Sequence, residues 1–217
     1  TQGYSSAASD VYKRQIKRMV MISILTALSL VLYIVGPKFS LPFFPSFLEI
    51  NFSMLPIFIG LFMLGPVDAL GIVLLRFLIK LPFTSTVYVG EITDFILGAI
   101  IIGGTYLGMR LFKNKNIFTF LFAFVFWIIG GLVSNLFALP GYIHIAGFPE
   151  EAIVKLMPSF LHATLDNYIW KYFILAVIPF NALISMCVIA VTWPVHARLK
   201  VLYNRICLLY TSDAADE

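Results

Sequence analysis

Apolar runs, several of them long enough to cross a lipid bilayer, govern what this chain can become. A hydrocarbon core about 30 Å thick takes about 20 apolar residues as a helix. Inside it no water satisfies unpaired backbone groups, so only helices or closed barrels can span it. Runs of this kind cover residues 17–36, 90–112, 116–138 and 168–197, and shorter ones cover 52–64 and 66–82. Gly65 and Pro66 stop one short run and start the next. With 60% hydrophobic and 12% charged residues, the composition is far from that of a water-soluble domain. The expected fold is all-α: a polytopic membrane protein, a six-transmembrane-helix bundle with long extracellular loops between helices one and two and between five and six.

Both ends of the chain have a different character. Residues 5–15, "SSAASDVYKRQ", and 207–217, "CLLYTSDAADE", back-translate to one sequencing-adapter sequence and its reverse complement. Residues 1–15 and 207–217 are therefore read as adapter-like scars, and 16–206 as a single six-helix membrane domain. Setting the ends aside enlarges the positive excess of the formal net charge, +4 for the whole chain. That excess does not point to nucleic acid, because the basic residues fall between the apolar runs. There they set orientation in a bilayer. Lys17, Arg18, Arg110, Lys113, Lys115, Arg198, Lys200 and Arg205 fall on one side and outnumber Lys38, Lys80, Lys155 and Lys171 on the other. The expected orientation has both termini cytoplasmic, in a bacterial cell membrane. Cys187, in an apolar run, reads as a small buried hydrophobe.

The outer connections are long and apolar. "GPKFSLPFFPSFLEINFSMLP" carries Pro37, Pro42, Pro45 and Pro56, which oppose a helix, while its phenylalanines keep it out of bulk water. It reads as a lid or as a re-entrant seal. The stretch 139–167 holds His144, Glu150, Glu151, His162 and Asp166, too many polar groups for a further span.

Polar residues inside the oily runs are the candidate functional groups. Glu91 and Asp94 follow Gly90 at the start of the fourth helix, beside Thr84, Ser85 and Thr86. Either they meet the helix dipole while hydrated at the interface, or they accept hydrogen bonds from a ligand rich in OH and NH groups. Arg76 lies in mid-helix, where an unpaired guanidinium is costly. It needs an ion pair, with Asp68 or an acid on another helix, or a place in a ligand cavity. Asn135 and Asn181 can each donate and accept, which suits the edge of a heterocycle, although membrane asparagines also join helices to each other. Pro179 leaves a carbonyl near residue 175 without its donor, so a kink beside Asn181 is expected. Ser23 and Ala27 have the small-xxx-small spacing that lets another helix approach, inside the bundle or outside it.

Enzymatic readings fare poorly. Glu150, Glu151, His162 and Asp166 have the residue types of an intramembrane protease, but they crowd into one loop rather than standing on separate helices. The chain carries no G-x-x-x-x-G-K-[ST] loop for ATP and no metal-ligand cluster at helical spacing. No cofactor or metal is expected.

In their order and spacing, "PFFPSFLEINFSMLP", "LGPVDALGIVLLRFLIK", "TSTVYVGEITDFILG" and "PFNALIS" resemble the substrate-binding S components of energy-coupling factor (ECF) vitamin transporters. The similarity covers most of residues 17–200 and is greatest to the riboflavin-binding branch. It implies a six-helix protein with an outward-facing pocket, docked on a transmembrane coupling subunit driven by two ABC-type ATPases. It further implies that Ser23 and Ala27 form the coupling contact, that Asn135 and Asn181 touch a flavin ring, and that Leu48 and the Thr-rich stretch around Thr86 border the pocket. The branch resembles "FLKIDFSD" where this chain has Glu49, Asn51 and Met54, and has a lysine where this chain has Ile184.

The substrate site expected from residues and resemblance together comprises Leu48, Asn51, Arg76, Thr86, Glu91, Asp94, Asn135 and Asn181. The expected function is membrane-embedded binding of a vitamin, riboflavin first, without covalent chemistry. Folate, thiamine or a queuosine precursor are alternative ligands. A stand-alone carrier coupled to protons through Glu91 or Asp94 is an alternative mechanism.

Overall fold

The computed structural model describes the backbone of residues 2–45, 47–84, 86–112 and 116–213, and the side chains of 11–13, 15–45, 47–84, 86–112, 116–195 and 198. Ser85, Lys113, Lys115 and the side chains of Lys200 and Arg205 lie outside the described residues.

The fold is mostly helical. Helix α1 spans Gln2–Ile34, α2 Leu55–Leu64, α3 Pro66–Lys80, α4 Val89–Leu111 and α5 Asn116–His144. After the short α6, Glu150–Lys155, the chain enters α7, Tyr168–Lys171, passes through a π-helical segment, Tyr172–Val177, and continues as α8, Ile178–Asp213. Between α1 and α2, strands β1, Phe39–Ser40, and β2, Glu49–Ile50, pair antiparallel with Phe39 opposite Ile50. The prolines of this segment had argued only against a helix; the pairing needs backbone register that no period-two pattern signalled.

Val11–Ile34, Val89–Leu111, Asn116–His144 and Tyr168–Val195 are long and apolar enough to cross a membrane. Helix α2, with 10 residues, is about 15 Å long, half the hydrocarbon core. Helix α3 has 15 residues and holds Asp68, Arg76 and Lys80. Between α2 and α3, Gly65 takes φ +101°, a conformation that a Cβ would strain, and Pro66 then opens α3 without needing a donor. Helix α5 runs past the expected end at residue 138 to His144. Pro140 removes one backbone bond there, a loss that membrane helices tolerate.

The expected distortion beside Asn181 takes the form of the π-helical segment. Pro179 offers no N–H to the Leu175 carbonyl, so the regular ladder cannot run through, and a wider turn absorbs the mismatch.

Lipid is as apolar as leucine, so helices in a bilayer associate through close packing and polar contacts rather than hydrophobic burial. Helices α4 and α5 make the most extensive contact. A Cβ at Gly104 would fall 1.9 Å from the Phe126 ring, and one at Gly108 would fall 2.7 Å from Phe122. Ile57, Leu61, Ile72, Val73, Ile101, Trp127 and Val188 are buried in the core. Large apolar side chains such as Leu74, Leu78, Leu136, Phe137 and Ile174 face outward, as a lipid-exposed surface requires.

Candidate functional site

Two polar centres lie inside the bundle. The first is built on Arg76, only 1% exposed. Its Nη2 donates to Asp94 Oδ2 at 2.7 Å and to the Met54 sulfur at 3.6 Å. Its Nη1 donates to Ser29 Oγ, Ser53 Oγ and the Ser53 carbonyl at 3.1–3.3 Å. Lys80 adds a second cation, with Nζ 2.9 Å from the same Asp94 oxygen and 3.6 Å from the centroid of the Tyr33 ring. Arg76 thus pairs with an acid on another helix. Asp68, the other candidate, takes Arg18 of α1 instead. Lys80, counted on the outer side and within the third apolar run, is the last residue of α3 and buried.

Asp94 lies one turn inside α4, beyond its first turn. Glu91 is in that first turn but is only 5% exposed, so it is not a hydrated rim group. Its Oε2 accepts hydrogen bonds from Thr84 at 2.8 Å and Thr86 at 2.7 Å. These bonds help hold the loop into α4, where Val87 and Tyr88 take φ of 51° and 67°. A β-branched residue in this region is strained, and the surrounding bonds to Thr84 and Thr86 keep it there.

The second centre joins α5, the π-helical segment and α8. Asn135 donates from Nδ2 to the Gly131 carbonyl at 2.8 Å and accepts from the Tyr172 hydroxyl. Asn181 donates from Nδ2 to the Val177 carbonyl at 2.8 Å and lies flat on Gly131, where a Cβ would fall within 2.3–2.6 Å of the carboxamide. Gly131 therefore brings the two asparagines together. Contacts of Gly141 with Val89 and of Gly130 with Leu97 and Ile100 set the antiparallel register of α4 and α5. Asn135 consequently stands at the depth of Thr93 and Asp94.

Over this centre lies the segment between α1 and α2. Phe44 meets Phe180 edge-on at 5.4 Å between centroids, and Phe47 lies 5.9 Å from Tyr172. Leu48 packs against both apolar clusters of the bundle. The aromatic residues of the segment thus rest beside the residues that flank Asn135 and Asn181. Ser23 and Ala27 face away from the bundle on α1, so their spacing does not serve internal packing.

A family model for the substrate-specific component of ECF transporters matches residues 17–196. The chain belongs to this family. Such S components are transporter subunits, and the apolar helices accord with a membrane protein. Riboflavin transporter RibU of Streptococcus thermophilus is 28% identical over 85% of this chain and 83% of its own length. The protein of that name from Lactococcus lactis is 30% identical over 77% and 85%. The one from Staphylococcus aureus is 33% identical over 48% of this chain, a match spanning about half of that relative, 52%. The S component of a bacterial ECF transporter has the same fold, with a TM-score of 0.65 at 24% identity, covering 87% of this chain and 98% of the other.

In this S component the residues that depart from the riboflavin-branch pattern have partners of their own. Glu49 lies 3.9 Å from Lys38. Asn51 Oδ1 accepts from the backbone N–H and hydroxyl of Ser53, Met54 meets Arg76, and Ile184 is buried in the core. Sequence reading missed Tyr172, Gly131, Ser29, Ser53 and Lys80 as parts of the two centres. Gly131 was legible as the residue one turn before Asn135. Tyr172 had no local signal, because its partner is 37 residues away.

Proposed function

We propose that this chain is the riboflavin-binding subunit of an ECF uptake system. It sits in the bacterial cell membrane as six membrane-embedded helices with both termini cytoplasmic, α2 and α3 forming a short pair. Residues 16–206 make the functional domain, and the segments before and after it are adapter-derived. Ligand binding is the whole chemistry of the chain; an ATP-driven module of a transmembrane coupling subunit and two ABC-type ATPases supplies the energy.

The observation that carries this reading is the meeting of Asn135 and Asn181 at Gly131, beneath Phe44, Phe47 and Leu48. Two amides on different helices, in a site lined by aromatic and aliphatic groups, suit a planar heterocycle with polar edges. Similarity to the riboflavin transporters supports flavin as that heterocycle. Thr86, Glu91 and Asp94 serve the hydroxylated tail, while Arg76 and Asn51 act through the groups they hold. Ser23 and Ala27, on the exposed face of α1, serve as the coupling contact.

The test is purification of the chain from cells grown with riboflavin, followed by flavin absorbance and isothermal titration. A co-purifying flavin with saturable 1:1 binding is expected. Preferential binding of folate, thiamine or a queuosine precursor would replace the ligand. Proton-driven uptake by the chain alone in vesicles would replace the mechanism.

A further inference from the structure

Trp127 is buried in the core at 1% exposure. Among the described residues its Nε1–H is the one buried side-chain polar atom without a hydrogen-bond partner. Helix ends and surfaces leave such groups to water, but a bilayer interior supplies none. Arg76 and Asn135 have partners for their polar groups, which makes an orphan donor on the same helix as Asn135 stand out.

Its position follows from contacts on both sides. Gly131 touches Asn181, and Phe120 stacks on Trp193 at 4.9 Å. These two contacts fix α5 and α8 as antiparallel, and they put Trp127 at the level of Ile184 and Ser185. Trp127, Gly131 and Asn135 follow at four-residue spacing, so they share one face of α5. The indole also stacks on Phe58 of α2, with 5.5 Å between centroids and 23° between planes. Trp127 therefore occupies the turn directly beneath the asparagine pair.

Asn181 supplies the complement. The Val177 carbonyl can only accept, which places the amide nitrogen of Asn181 there. The Oδ1 is left as an acceptor that no described hydrogen bond reaches. We infer that Trp127 Nε1–H and Asn181 Oδ1 form a donor and acceptor pair that reads a lactam or imide edge, C=O beside N–H, of the bound heterocycle. Trp127 is then a specificity-determining residue at the floor of the site, one that the residue types of the apolar runs did not single out. This inference rests on the proposed vitamin-binding function and deepens it.

The experiment uses the whole chain in lipid nanodiscs. Indole-labelled protein is titrated with riboflavin and followed by its tryptophan ¹H–¹⁵N resonances, with Trp170 and Trp193 as internal references. The Trp127 N–H resonance is expected to move downfield at saturation while the other two stay in place. Trp127→Phe, which keeps a ring against Phe58 and removes the N–H, is expected to weaken riboflavin binding at least fivefold. An unmoved Trp127 resonance in the liganded wild type, or an unchanged dissociation constant in Trp127→Phe, overturns the inference. Because the resonance is read on the wild type, a variant that fails to fold does not protect it. If the wild type does not bind riboflavin, the flavin reading falls separately. The same resonance is then read with folate, whose pterin ring carries a lactam edge, and the absence of a shift overturns the role of Trp127.

Discussion

Arg76 on α3 and Asp94 on α4 share a 2.7 Å hydrogen-bonded ion pair, and the Asp94 oxygen that accepts it also takes Lys80 at 2.9 Å. One carboxylate thus serves two cations that are 1% and 4% exposed. Removing it leaves both charges buried without an anion. Asp94→Ala is expected to cost about 3–5 kcal/mol of stability, more than Lys80→Met, which removes a charge and leaves the Arg76 pair intact. Thermal unfolding in detergent, read by thiol accessibility at Cys187, ranks the two variants. A larger loss for Lys80→Met would show that the triad is not organised around Asp94.

Asn181 and Asn135 are expected to differ in how they fail. Asn181→Ala removes an amide whose Oδ1 no described hydrogen bond reaches, and riboflavin binding should weaken at least tenfold, about 1.4 kcal/mol, with little change in melting temperature. Asn135→Ala should weaken binding as strongly and also lower the melting temperature, because the Tyr172 hydroxyl loses its acceptor. Calorimetric titration beside thermal unfolding separates the two effects; equal dissociation constants for wild type and both variants would refute their role.

Gly131→Ala places a methyl group within 2.3–2.6 Å of the Asn181 carboxamide. The amide must move, so binding is expected to fall at least tenfold, although neither asparagine is altered. The Val177 carbonyl keeps its Asn181 donor only if the amide stays, so faster exchange of the Asn181 side-chain amide would accompany the loss of affinity. Normal affinity in Gly131→Ala would show that the asparagines need not meet there.

Ser23→Trp enlarges an exposed position on α1. Riboflavin binding by the purified chain should be unchanged, whereas uptake by cells expressing the coupling subunits should be lost. Normal uptake would move the docking contact away from this face.

Much of the architecture was readable from one dimension. Apolar runs set the positions of α3 and α4 within a few residues and marked spans inside the longer α1, α5 and α8, Gly65 and Pro66 marked the reversal between α2 and α3, and Pro179 announced the distortion before Asn181. These features are local: length in a bilayer, missing donors and backbone freedom are properties of a short stretch of chain. Which polar group meets which was not local. Whether Arg76 would pair with Asp68 on its own helix or with Asp94 across to the next, and whether Glu91 would sit in water or beneath two threonines, depended on how the helices were rotated and staggered. The close approaches at Gly104, Gly108 and Gly131 set that rotation and stagger. The sequence by itself determined a chain of membrane helices with polar residues that had to find partners inside it. Only tertiary structure decided the pairings, because a buried hydrogen bond depends on distances of about 3 Å between groups that the chain holds tens of residues apart.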